Sequence, residues 1–152
     1  MAGDVTLDRL SRSEQVLVFA WRMLVAGRPH CGFLHAELEA YAGDEARNVL
    51  AGLSAVLMAL GQGSRKTISV GHPGCALVTQ DERNVLALLA TAQQCDEDLL
   101  AVRLCWTVRP ESQRAALVIL QTFAVLLDQI GLRLPALGGG RPDISARCLA
   151  LC

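Results

Sequence analysis

Between Val49 and Leu60 the chain places Leu50, Leu53, Val56 and Leu57 at three- and four-residue steps, the spacing that lines up one face of a helix. Asp44 precedes this stripe in position to cap it. Upstream, "SRSEQVLVFAWRMLVAG" sets Ser11 and Glu14 at the spacing of a capping box, with Gly27 as a left-handed stop. The pattern therefore predicts a helix over residues 12–26. Apart from Arg22, its second half is apolar on every side, which predicts a central helix surrounded by others.

Pro29 suits the first turn of a second helix, in which Leu34, Leu38 and Tyr41 share a face. After Gly61 the helical period stops until Val78, a gap longer than most connections between helices. Inside the gap "KTISV" alternates polar and apolar residues, which predicts a short extended piece, one edge of a small hairpin. Thr79 and Glu82 form a second capping box, opening a helix that ends near Cys95. Asp96 caps another through Trp106, and Pro110 opens a last long one to about Ile130. The whole reads as an all-α, single-domain bundle of five to six helices with one long irregular loop over about 61–78. The bundle takes up residues 1–137, and 138–152, beginning with three glycines, reads as a tail.

Composition sharpens this picture. At 52% hydrophobic and 19% charged residues in a chain of 152, the apolar side chains exceed what a small interior holds. An exposed apolar face follows, and with it a homodimer or a helical partner. The 14 basic and 15 acidic residues form no basic stripe, which speaks against nucleic acid. Every basic residue but Lys66 is arginine, which points to GC-rich coding and a bacterial source. The first residues carry acids where a signal peptide needs a basic end, and the apolar stretches are too short to cross a bilayer. The expected location is cytoplasmic, with the six cysteines reduced.

Candidate chemistry gathers at two places. Cys31 and His35 lie one turn apart on a predicted helix, and His72 and Cys75 flank a Pro73–Gly74 turn in the long loop. Together they offer two sulfurs and two nitrogens, a tetrahedral set suited to zinc or another transition metal, with His30 as a spare donor. Near a helix start, Cys31 would also be favoured as a thiolate, able to pair with Cys75 under oxidation. Against both stands the simpler fate of such residues, packing and loop hydrogen bonds, since no C-x-x-C pair is present. A cysteine near a histidine also suits a Cys-His enzyme, yet no third group and no known local signature accompany it. The acid pairs in "GDEARN", "TQDERN" and "QCDEDLL" fall at helix starts, where carboxylates act as caps. "LGQGSRKT" lacks the strand before and helix after that a phosphate loop requires, although Arg65 and Lys66 are placed to meet an anion. Trp21 and Trp106, each in an apolar helix, are expected in the core.

Three functions fit: a non-enzymatic binding or regulatory module with a metal- or redox-responsive centre at Cys31, His35, His72 and Cys75, a small-molecule carrier or small enzyme with an apolar interhelical pocket and the long loop as its lid, or a structural subunit of a homo-oligomer.

Overall fold

The structure is a computed structural model and describes residues 3–136; the expected tail, 138–152, lies outside them. Six α-helices follow in order: α1 Arg12–Val25, α2 Gly32–Ala42, α3 Ala46–Gly63, α4 Gln80–Gln93, α5 Glu97–Thr107 and α6 Pro110–Gln129. A two-stranded antiparallel ribbon, β1 Val5–Thr6 and β2 Leu77–Val78, sets Val5 opposite Val78.

The starts of α1 and α4 follow from their sequence. Ser11 Oγ accepts from the Glu14 amide and the Glu14 carboxylate accepts from the Ser11 amide at 2.7 Å; Thr79 and Glu82 repeat the arrangement. Asp96 caps α5 by accepting from the Leu99 amide, and Pro110 opens α6.

Two predicted starts are displaced. The Gly27 amide donates to Leu24 and the Arg28 amide to Met23, with Gly27 at φ 72°, so α1 ends in a Schellman motif. Pro29 stands beyond that stop, outside both helices, and does not begin α2, whose N-cap is Cys31. Likewise Asp44 belongs to a 3-10 turn, Gly43–Glu45, that runs directly into α3 with Glu45 already helical, so no side chain caps α3.

The extended piece is also displaced. The strand lies at Leu77–Val78 and pairs with the N-terminal segment, because the amides of Ser69 and Gly71 are taken by the carboxylates of Asp81 and Glu82 rather than by a neighbouring strand.

The most extensive interface joins α3 and α6. A Cβ on Gly52 would meet the Phe123 ring at 2.5 Å, and one on Gly63 would meet Ser112 at 2.6 Å. Eleven residues forward on one helix thus match eleven back on the other, so the pair is antiparallel and its backbones approach closely at glycine. This longer pair, rather than α1, is the spine. Helices α4 and α5 pack on α6, and α1 and α2 on α3. The single core takes Leu17 and Trp21 from α1, Leu53 and Val56 from α3, Leu88 and Leu89 from α4, and Leu120 and Phe123 from α6. Beyond α6, Gln93 grips the chain with both ends of its amide, donating to Leu132 O and accepting from the Leu134 amide.

Candidate functional site

The long loop is fastened by one buried cation. Arg22 Nε donates to Glu82 Oε1 at 2.7 Å and Nη2 to Oε2 at 2.9 Å, with neither side chain exposed. The remaining guanidinium hydrogens go to three loop carbonyls: His72 at 3.2 Å, Cys75 at 2.6 Å and Leu77 at 2.6 Å. All five donors of the planar fork are thereby used. Glu82 in turn accepts from the Gly71 and Thr79 amides. Gly71 is required here, since a Cβ would come within 2.6 Å of Arg22 Nη2.

The charge states follow from these bonds. Hydrogen bonding to Glu82 raises the Arg22 pKa above its ordinary value against the opposing cost of burial. Burial pushes the Glu82 carboxyl up, but Arg22 and the two amides outweigh it and hold the group below the usual carboxylate range.

Asp81, beside Glu82, fastens the first half of the loop. Its Oδ2 accepts from the Ser69 amide at 2.7 Å and its Oδ1 pairs with Lys66 at 2.9 Å, while Thr79 Oγ1 donates to Ser69 O. The loop's start is tied to the α5–α6 junction: the Arg65 amide donates to Thr107 O, and the Arg109 amide to Gly63 O. The segment is pinned at several points along its length.

This pinned segment forms one wall of a groove of about 390 Å³. The loop contributes Ser64, Arg65, Lys66 and Ile68, α4 contributes Asp81, Asn84, Val85 and Leu88, and α5 contributes Val102, Arg103, Trp106 and Thr107. The volume lies within the range of about 300–1,000 Å³ of small-molecule sites. Its floor is aliphatic and its rim carries three cations against one carboxylate. Trp106, expected in the core, is 63% exposed at this groove, whereas Trp21 is buried as expected. Buried Leu100 and Leu104 define the inner face of α5, and Trp106, two residues past Leu104, points about 200° away from it. Arg103 Nε is buried without a hydrogen-bond partner among the described residues, an arrangement that costs about 1–3 kcal/mol unless an acceptor is present.

The four donors singled out in the sequence fall in two places. Cys31 is the half-buried N-cap of α2, and His35, one turn on, stacks on His30 with ring centroids 6.5 Å apart. In the loop, the Cys75 amide donates to His72 O at 2.9 Å, closing the predicted Pro73–Gly74 turn, while His72 Nδ1 accepts from the Gly74 amide. Within each pair the bond is between backbones, His35 N to Cys31 O and Cys75 N to His72 O, and among the described residues no group of three or more His, Cys, Asp or Glu is disposed to hold a metal ion. The backbone carbonyls of His72 and Cys75 accept from Arg22. Cys31, Cys75 and Cys95 are free thiols, but Cys105 is disulfide-bonded, which corrects the expectation that all six cysteines are reduced. The one mark of Arg22 in the sequence is a charge alone in an apolar helix, and nothing there points to its partners.

Among the described residues no helix is long and apolar enough to cross a membrane. The chain matches no protein-family model, no curated protein and no solved structure.

Proposed function

We propose that this protein is a small, non-enzymatic helical binding module whose ligand, a small and largely apolar molecule, occupies the groove between residues 64–68, α4 and α5. The exposure of Trp106 at a groove of about 390 Å³ carries the reading. A large aromatic left in water beside an aliphatic cleft loses exposed surface when a flat ligand settles against it. The wall opposite is pinned by Asp81 and, further along, by Arg22 and Glu82, so little ordering entropy opposes binding. This takes up the carrier reading of the sequence, with a fixed wall in place of a lid.

The test is titration with the neutral dye N-phenyl-1-naphthylamine, following its emission and that of Trp106 in a Trp21→Phe background. Saturable binding lost on Trp106→Ala supports the reading; binding indifferent to Trp106 sinks it. Self-association through an apolar face remains part of the proposal, supported by Met58 on α3 and Val118 and Val125 on α6, each more than half exposed. Light scattering across a concentration series decides it: a monomer throughout removes that part.

A further inference from the structure

We infer that the ligand of this groove carries a single anionic group, such as a carboxylate or sulfonate, on its flat apolar body, and that Arg103 and Lys66 receive it. The inference rests on the groove being a ligand site and adds the class of ligand.

Two independent observations support it. First, the groove's polar rim is unbalanced, with Arg65, Lys66 and Arg103 facing only Asp81. A neutral ligand would leave that excess in place, whereas an anion is drawn to it. Second, the three cations are not equally committed. Arg65 Nε already donates to Cys105 O at 2.8 Å. Arg103 lines the groove with a guanidinium that no hydrogen bond or ion pair engages among the described residues, and an oxyanion is the acceptor a guanidinium matches best. The Lys66 side chain, 71% exposed, reaches Asp81 with its ammonium at the end of a flexible four-carbon stem. Asp81 keeps the Ser69 amide when Lys66 turns to a ligand, so the wall stays in place during the exchange. Asp81 also repels an anion from its own side, which fixes the ligand's orientation: the charged group toward Arg103, the apolar body over Val85, Leu88 and Trp106.

The experiment compares two dyes of the same shape and opposite expectation on the full chain: 8-anilinonaphthalene-1-sulfonate, an anion, and N-phenyl-1-naphthylamine, its neutral counterpart. Arg103→Gln is expected to weaken the sulfonate roughly tenfold and leave the neutral dye within about twofold, as befits one charge-assisted hydrogen bond. Lys66→Gln, on a largely exposed side chain whose loss leaves the Asp81 bond to the Ser69 amide in place, is expected to act in the same direction more weakly and to flatten the salt dependence. Helical content by circular dichroism confirms that both variants fold. If both dyes bind through Trp106 but neither Arg103→Gln nor Lys66→Gln separates them, the anion inference is overturned and the apolar groove stands. If neither dye depends on Trp106, both readings fall.

Discussion

Arg22 and Glu82, 60 residues apart in the chain, meet side by side with two hydrogen bonds of 2.7 and 2.9 Å and no exposure to solvent. The pair joins α1 to the start of α4 and gathers three loop carbonyls and two loop amides around itself. Through it the interior of the bundle and the long loop form one unit.

Removing one partner leaves the other charge buried alone. Glu82→Gln is expected to cost about 3–5 kcal/mol, and Arg22→Met a similar amount. The double variant Arg22→Met with Glu82→Gln is expected to cost less than the two single losses together, the remainder belonging to the carbonyls of His72, Cys75 and Leu77. Urea unfolding of the three variants measures it, and independent, additive costs would show that the two residues do not act as a pair.

The same pair sets an acid limit. Glu82 is held below its usual range in the folded protein, so the unfolded chain binds the proton more readily. Its contribution is complete above the unfolded value of about 4.3 and is lost as pH falls through the folded value. Stability measured from pH 7 downward is expected to hold until about pH 4.3 and then decline, with a shallower decline in Glu82→Gln.

Glycines mark where backbone and side chain come closest. Gly52→Val is expected to destabilise by about 1–3 kcal/mol or more, since the first added carbon already meets the Phe123 ring at 2.5 Å and α3 must move from α6. Gly71→Ala displaces a loop strand rather than a helix. It is expected to raise proteolytic nicking within residues 64–79 ahead of any large loss of helix, and unchanged cleavage would contradict the packing described.

The two tryptophans are expected to separate cleanly. Trp21→Ala should cost about 3–5 kcal/mol, whereas Trp106→Ala should stay within about 1 kcal/mol because its ring faces water. Emission of the Trp21→Phe variant is expected at longer wavelength than that of Trp106→Phe. Similar wavelengths would mean that Trp106 is not exposed.

Local chemistry determined what the sequence by itself could show. The capping boxes at Ser11 and Thr79, the stop at Gly27 and the stripe from Val49 to Leu60 depend on residues within a few positions of one another, so the helices and the all-α class were legible. Pro29 suits the first turn of a helix, yet the hydrogen bonds leave it between α1 and α2 and in neither, which its own neighbourhood in the sequence does not show. The site lay beyond local reach. Nothing near Arg22 names Glu82, and nothing near Trp106 states which side of α5 faces inward until Leu100 and Leu104 are packed. The Cys31, His35, His72 and Cys75 set drew attention because its residue types are chemically conspicuous, but convergence is a property of helix packing, not of spacing. Tertiary structure alone brought the loop, α4 and α5 around one groove, because burying the apolar faces of six short helices fixes which distant side chains become neighbours.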